Sequence, residues 1–177
     1  FTDDDCLPDL GWLEAFAKAV DAHPTCLVFE GRTYVNRARR SLAESAPINN
    51  TGGYLWSCNF AIQKKIFDLL NGFDERFPYA AMEDVDFRCR LMKQNIPFIY
   101  VRGASVCHPW RTNAGWKRLK KHQDSVLIYL SIHPDESQNI NPSYGYLWWL
   151  NGKSSYMLPG TQLVFPGYLS PAAPKDM

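Results

Sequence analysis

Apolar residues recur at helical spacing in four segments of the chain, and each recurrence predicts a helix. In the first segment the stripe that we expect to be buried consists of Leu10, Leu13, Phe16, Ala17 and Val20. A proline or the pair Asn71-Gly72 follows each segment and is expected to end the helix. The predicted helices cover residues 9–22, 64–70, 83–95 and 112–133.

Shorter apolar patterns between these helices predict strands. Residues 25–31 form a largely continuous apolar run, and apolar residues alternate with smaller or more polar ones over 56–62. Two further short strands are predicted at 98–101 and 104–107. The polar segment 32–47 contains clustered arginines and predicts a solvated connection rather than a surface for an anionic acceptor.

The composition is that of one globular domain followed by an irregular segment. With 177 residues, 46% of them hydrophobic, the chain is long enough to bury a core. We expect the domain to span 1–134, and we expect 135–177 to be an irregular tail, rich in proline and aromatic residues, with one short helix at 146–151. Because the chain begins inside an acidic motif, we interpret it as a fragment whose N-terminal part is missing.

Charge, cysteine content and hydropathy exclude several classes of protein. A net charge of +1 gives no sign of nucleic-acid binding. The five cysteines are odd in number and show no Cys-x-x-Cys spacing, which argues against a disulfide framework or a zinc knuckle and favours a reducing cytoplasm. No apolar run approaches the ~20 residues that span a bilayer. We therefore expect a cytoplasmic protein without a transmembrane segment, at most peripheral to the inner face of the membrane.

Two acidic clusters carry the chemistry that the sequence suggests. Asp3, Asp4 and Asp5 are consecutive, and adjacent carboxylates repel one another unless a cation or water relieves them. Glu83 and Asp84 open the third predicted helix. Each cluster also has a simpler interpretation, which is a solvated turn for the first and a favourable interaction with the helix dipole for the second.

A histidine and an arginine follow the last predicted strand. His108 begins the segment His-Pro-Trp-Arg, which ends at Arg111. An imidazole together with carboxylates suits Mn²⁺ somewhat better than Mg²⁺. By itself, His108 is equally typical of a core or surface histidine, and Arg111 of a surface residue at the start of a helix.

Four motifs occur in the same order as in a known enzyme family. They are Phe-Thr-Asp-Asp-Asp-Cys-Leu-Pro-Asp-x-Gly-Trp-Leu at the start of the chain, then Asn-Gly-Phe-Asp-Glu-Arg-Phe, Glu-Asp-Val-Asp-Phe-x-x-Arg-Leu and Cys-His-Pro-Trp-Arg. Over residues 1–134 the chain resembles family 2 of the inverting, metal-dependent glycosyltransferases, which have a GT-A fold. The resemblance implies a partial GT-A fold of the α/β class, with a mixed sheet and flanking helices, whose N-terminal nucleotide-binding half is missing.

The resemblance also implies roles for individual residues. Asp84 would be the catalytic base, and Glu83 would orient the base or the acceptor. The metal ligands would be Asp5, His108 and, directly or through water, Asp3. The donor would be bound by Asp3, Asp4 and Arg111, of which the arginine reaches the diphosphate. Residues that would line the acceptor site, or else belong to the core, are Trp56, Asn59 and Trp110.

The implied function is the transfer of a sugar, with inversion, from a nucleotide-sugar donor to a hydroxyl group of a carbohydrate or other acceptor, in polysaccharide or glycan synthesis. Mn²⁺ or Mg²⁺ would be the cofactor. Two other interpretations stay open: a non-catalytic carbohydrate-binding remnant, and a metal-dependent phosphoryl-transfer or hydrolytic enzyme. The presence of Asp5, Asp84 and His108 favours the transferase over the remnant, and the lack of a P-loop or paired-metal motif weakens the third possibility.

The transferase interpretation makes two demands on the structure. Asp5, Asp84 and His108 have to converge, although they lie far apart in the sequence. Asp3 and Asp5 lie beside a chain end, where order is poor unless the end is tied down. We therefore expect this chain alone to bind a divalent ion weakly and to transfer no sugar.

Overall fold

The computed structural model of the protein describes residues 1–41, 43–112 and 116–138. The strands of this part are β1 Leu7–Pro8, β2 Val28–Tyr34, β3 Glu44–Ser45, β4 Phe60–Ile62, β5 Ile99–Cys107 and β6 Arg111–Thr112. The helices are α1 Trp12–Ala22, α2 Lys64–Leu69, α3 Glu83–Lys93 and α4 Trp116–Ile132. A 3-10 turn, Pro134–Gln138, follows α4.

A mixed four-stranded sheet forms the centre of the fold, in the order β1-β5-β2-β4. β2 and β5 are parallel, whereas β1 and β4 pair antiparallel with them at the two edges. β3 and β6 form a separate antiparallel pair. The prediction of an α/β fold with a mixed sheet and flanking helices is therefore confirmed.

Helices pack on both faces of this sheet. Successive residues of a strand point to opposite faces, and Val28 and Phe29 of β2 accordingly belong to different apolar clusters. Phe29 packs with Phe16 of α1, while Val28 packs with Phe87 of α3. Tyr129 of α4 belongs to a third cluster, shared with α3. The core thus has helical layers on either side of the sheet, with α4 packed on α3.

β2 and β5 approach so closely at Gly31 that no side chain fits there. The register between the two strands shifts after Gly31, and an added Cβ would collide with the amide of Asn59 and the carbonyl oxygen of Ala104. That amide donates hydrogen bonds to the carbonyls of Arg32 and Ala104, at 2.8 and 2.9 Å, and accepts one from the Trp12 indole at 2.9 Å. Asn59 therefore satisfies backbone groups at the irregularity.

The prediction of which apolar residues of the first helix are buried is largely wrong. α1 begins at Trp12, and Leu10, Leu13 and Val20 are 105%, 68% and 43% exposed. Trp12 and Phe16 pack against the sheet instead. The segment carries two apolar stripes, and the one with the larger aromatic surface is buried because burial of apolar area drives the packing.

The other helices lie close to their predicted positions. α2 ends at Leu69 and α3 at Lys93, within two residues of the predicted ends. α4 begins at Trp116, four residues after its predicted start, because Thr112 pairs in β6 instead, and it ends at Ile132, one residue before its predicted end. The helix predicted at 146–151 lies outside the described residues, as does most of the predicted tail, so the boundary at 134 stays a prediction. None of the described helices has the length and apolar character of a membrane-spanning helix.

The strands differ more from their predicted bounds. β2 begins three residues later than expected and continues to Tyr34, into the segment predicted to be a solvated connection. The strands predicted at 98–101 and 104–107 form the single strand β5. Of the alternating run 56–62, only Phe60–Ile62 is a strand, and the residues before it form a turn. The start and end of each strand are therefore set by the strands it pairs with, and the local sequence pattern does not show which strands those are.

Candidate functional site

The pairing of β1 with β5 brings the acidic segment to the end of the longest strand. Leu7 pairs with Cys107 in an antiparallel register. One residue further, this register sets Cys6 beside His108, and the aspartates before Cys6 follow into the same region. Residues that lie at opposite ends of the described domain therefore share one site.

The acidic segment is tied to the rest of the fold. The ring of Phe1 stacks on Phe60 with a centroid distance of 4.7 Å, and Thr2 forms a β-bridge with Asn59. The N–H of Cys6 donates a hydrogen bond to the carbonyl of Asp3 at 3.2 Å, which closes a turn. Asp4 in this turn is exposed. These contacts supply the anchoring that a chain end requires.

His108 presents a buried ring nitrogen to two carboxylates. The residue is completely buried, and its Nδ1 lies 2.7 Å from the carbonyl oxygen of Pro109. A carbonyl oxygen only accepts, so Nδ1 carries a proton. Nε2 has no hydrogen-bond partner among the described residues and lies 3.8 Å from Asp3 Oδ2 and 3.7 Å from Asp5 Oδ1. The nitrogen is thus placed to hold a proton or a metal ion against the two carboxylates.

The charge around His108 agrees with this placement. Burial lowers the pKa of His108, but the Asp3 carboxylate and the Pro109 carbonyl outweigh it and raise the pKa above its ordinary value. His108 and Arg111 in turn lower the pKa of Asp3, against the effect of its partial burial. A positive charge between these groups is therefore favoured, and the residues fit a cation site.

Arg111 supplies one such charge from β6. Its Nε and one terminal nitrogen donate to the two oxygens of Asp5 at 2.9 and 2.8 Å, and the same terminal nitrogen lies 3.2 Å from Asp3. β6 is held by β3, in which Ser45 pairs with Arg111. The neighbouring Glu44 is bound by Arg37 through two hydrogen bonds of 2.6 and 3.1 Å. The predicted solvated segment thus contributes to the position of Arg111.

Cys6 adds a sulfur atom to the site. Asp5, Cys6 and His108 each offer one donor atom, and these atoms lie within 4.8 Å of one another. Cys6 is 8% exposed, and a hydrogen bond from Cys58 lowers the pKa of its thiol to about 7. The sequence shows Cys6 only as one of five scattered cysteines. Its position directly after three aspartates suggests that it lies near the acidic cluster, but only the pairing of β1 with β5 places it beside the imidazole of His108.

The first turn of α3 holds two carboxyl groups of unusual basicity. Burial raises the pKa of Asp84 to about 6, although the N–H of Val85 donates to its Oδ1 at 2.8 Å. Burial, and then the charge of Asp84, raises the pKa of Glu83 to about 7. Asp3 also raises the pKa of Glu83, so this turn lies within electrostatic reach of the acidic segment. Glu83 Oε2 is buried without a hydrogen-bond partner among the described residues.

Asp86, the third acid of α3, is engaged elsewhere. It is completely buried, forms an ion pair with Arg90 at 2.7 Å and accepts a hydrogen bond from His133 Nε2 at 2.7 Å. His133 follows α4, so Asp86 ties α3 to the end of α4. A carboxylate held in this way is structural, which leaves Asp84 and Glu83 as the candidates for a base.

The three residues predicted to contact the acceptor are largely enclosed. Trp56 is 6% exposed and stacks on Tyr54 at a centroid distance of 5.2 Å. Trp110 is partly buried, and its indole N–H donates to the carbonyl of Arg37 at 3.0 Å. Asn59 is 1% exposed, and its amide donates hydrogen bonds to two backbone carbonyls at the β2–β5 irregularity. Asn59 therefore has a structural role, while the roles of Trp56 and Trp110 stay predictions.

A buried glutamate that was not predicted from the sequence fixes the loop that precedes Ser57. Glu30 is completely buried in β2, and burial raises its pKa. It accepts hydrogen bonds from the side chain of Asn49 and from the backbone N–H groups of Gly53, Tyr54 and Leu55. The loop held in this way leads directly to Ser57, whose backbone interacts with Asp84. A lone acid within an apolar strand was the signal in the sequence.

Comparisons of the chain with protein-family models, with curated proteins and with solved structures found no match.

Proposed function

We propose that the protein is the acceptor-side part of a metal-dependent, inverting glycosyltransferase of GT-A type, which uses a nucleotide-sugar donor and a hydroxyl acceptor. The observation that carries the proposal is the meeting of Asp3 and Asp5 with the buried Nε2 of His108, at 3.8 and 3.7 Å. Arg111 donates hydrogen bonds to the same two carboxylates. Two carboxyl groups of raised pKa, Glu83 and Asp84, lie side by side on α3, and the charge of Asp3 reaches Glu83.

Asp3, Asp5 and His108 would hold the divalent ion. Their fit rests on the buried Nε2 of His108, which faces two carboxylate oxygens and has no hydrogen-bond partner within the described part of the chain. When bound, the ion would neutralise charge on the diphosphate of the donor. Arg111 is the protein's own group for the same charge, because a guanidinium binds phosphate oxygens through two parallel hydrogen bonds.

Asp84 is assigned the role of general base. It accepts the proton of the acceptor hydroxyl while that oxygen bonds to the anomeric carbon of the donor. The bond from this carbon to the diphosphate breaks, and the electron pair leaves with the nucleoside diphosphate, which Arg111 stabilises. Attack opposite to the leaving group inverts the configuration. A pKa of about 6 leaves Asp84 ionised near neutral pH yet basic enough to take a proton.

Glu83 is assigned a positioning role beside this base. Its pKa of about 7 means that it is partly protonated near neutral pH, so that it can donate as well as accept a hydrogen bond. A hydroxyl acceptor requires such a partner to orient its oxygen.

Nucleotide sugars are cytoplasmic metabolites, which agrees with the cytoplasmic location expected from the cysteines.

The test is release of nucleoside diphosphate by the complete gene product. The product would be incubated with Mn²⁺ or Mg²⁺ and a panel of UDP-, GDP- and dTDP-sugars, with and without carbohydrate acceptors. We expect one donor to give diphosphate release together with a glycoside of inverted configuration, assigned by proton NMR. Retained configuration, or phosphate release without sugar transfer, would contradict the proposal and favour a hydrolytic enzyme. Carbohydrate binding without turnover would favour the binding remnant.

A further inference from the structure

The donor set beside Asp5 contains a sulfur atom, which neither Mn²⁺ nor Mg²⁺ prefers. We propose that Asp5, Cys6 and His108 form a three-ligand site for a thiophilic divalent ion, of which Zn²⁺ and Co²⁺ are the reference examples. This is the site of the proposed transferase, with Cys6 as a ligand in place of Asp3, and only the ion's role in turnover rests on that function. The ligand set itself stands on the geometry.

The first support is the spacing of the donor atoms. Atoms bonded to one ion at ~2.0–2.3 Å lie no more than about 4.6 Å apart, and about 3.5 Å apart in a tetrahedral arrangement. The donors of Asp5, Cys6 and His108 lie within 4.8 Å of one another, and Nε2 of His108 lies 3.7 Å from Asp5 Oδ1. Small side-chain movements therefore suffice to bring all three onto one ion.

The second support is independent of the cysteine. His108 is completely buried, and its Nε2 has no hydrogen-bond partner among the described residues while it faces the other donors. The Pro109 carbonyl accepts the proton on Nδ1 at 2.7 Å. A hydrogen bond of this kind on the far ring nitrogen is the usual way in which a protein orients a metal-binding imidazole and selects its tautomer.

The third support is the chemistry of the donors. A thiolate, an imidazole and a carboxylate suit Zn²⁺ or Co²⁺, whereas Mg²⁺ takes oxygen ligands and keeps its water. Three protein ligands leave a fourth position for a substrate oxygen, as in catalytic zinc sites. Arg111 occupies both oxygens of Asp5, so a bound ion has to displace the guanidinium from at least one of them.

Cobalt spectroscopy tests the ligand set without reference to activity. Co²⁺ bound to a thiolate gives a sulfur-to-metal charge-transfer band in the near ultraviolet, which oxygen and nitrogen ligands do not give. We expect this band on titration of the wild-type protein, its loss in Cys6→Ser, and a fall in Zn²⁺ affinity of more than about tenfold in that variant. Cys26→Ser is the matched control, since Cys26 is also buried but lies in another apolar cluster.

X-ray absorption at the zinc edge of the wild-type protein provides a measurement that needs no variant. One sulfur scatterer beside nitrogen and oxygen supports the site, and its absence at stoichiometric zinc overturns it. The proposed function fails separately: zinc bound through sulfur without diphosphate release contradicts the transferase alone. Diphosphate release by a protein whose stoichiometric zinc shows no sulfur scatterer contradicts the thiolate ligand alone.

Discussion

Arg111 binds Asp5 through two nearly parallel hydrogen bonds of 2.9 and 2.8 Å, although 106 positions separate the two residues. The side chains are 39% and 35% exposed, so water screens the pair and a swing of the arginine costs little. A guanidinium on these oxygens competes with a divalent ion, and it becomes available to a diphosphate when it leaves them. In the proposed transferase the pair would therefore link occupation of the ion site to binding of the leaving group.

The first prediction concerns this competition. Arg111→Gln removes the competing charge, and we expect divalent ions to bind about fivefold more tightly, roughly 1 kcal/mol, because the pair is partly exposed. Nucleoside diphosphate should bind more weakly in the same variant. Calorimetric titrations with Mn²⁺, Zn²⁺ and UDP measure both effects. Arg76→Gln is the control, since it removes an equal charge that pairs with Asp74. Equal or weaker ion binding in Arg111→Gln would refute the competition.

The second prediction assigns the base. Asp84→Asn keeps the size of the side chain but removes its ability to take a proton, and we expect transfer by the complete gene product to fall by ~10²–10⁴-fold. Donor binding should be nearly unchanged, as calorimetry with the nucleotide sugar would measure. Asp68→Asn, which alters an exposed pair with Lys64, serves as control. If more than half of the activity remained, the role would pass to Glu83, because Asp86 is committed to Arg90 and His133.

The third prediction is the pH dependence of transfer. Because Asp84 has to be ionised, kcat/KM should rise with pH through about 6, the pKa to which burial raises this group. Glu83, with a pKa of about 7, carries little charge where Asp84 titrates, so Glu83→Gln should leave this rise in place. Rate profiles of wild type and variant from about pH 5 to about pH 8 measure its position. A rise displaced in the variant by more than about half a unit would contradict the assignment of the two groups.

The fourth prediction follows from the same pKa values but concerns stability. The folded protein holds the protons of Glu83 and Asp84 more tightly than the unfolded chain does, since both pKa values are raised. Their favourable contribution is therefore fully present below the ordinary carboxyl pKa values of 3.8 and 4.5 and is lost as the pH rises from there to about 6 and about 7. We expect Asp84→Asn to gain stability relative to wild type over this range. Urea denaturation at several pH values measures the difference, and a constant difference would contradict the raised pKa.

The fifth prediction concerns the close approach of β2 and β5. Gly31→Ala introduces a Cβ that collides with Asn59 and with the Ala104 carbonyl, and we expect a loss of about 1–3 kcal/mol in the free energy of unfolding. Gly103→Ala is the matched control, because its added Cβ would lie 3.4 Å from the Cβ of Ala15, an ordinary contact. The control should change stability by no more than about 0.5 kcal/mol. Similar urea midpoints for the two variants would show that the strands can separate locally.

The helices were predictable where the local signals agreed with one another. α2 ends just before Asn71 and Gly72, which adopt positive φ. α3 begins with three acidic residues in its first turn, and its apolar residues are buried. α1 was placed almost correctly, but its buried face was not, because two apolar stripes compete on it. Only the sheet decides between them, by offering Phe29 and Ala104 as partners for Phe16.

The candidate site divides in the same way. The chemical groups could be read from the residues alone: consecutive aspartates, an acidic pair opening a helix, and a histidine followed by an arginine. The α/β class could be read in the same way, since alternating and helical periodicities depend only on neighbouring residues. Nothing local indicated that Cys6 lies beside His108, that Asp86 is a structural ion pair, or that the amide of Asn59 binds backbone groups at the β2–β5 irregularity. Those facts depend on strand pairing and helix packing between residues far apart in the chain, because burial and pairing are properties of the assembled fold.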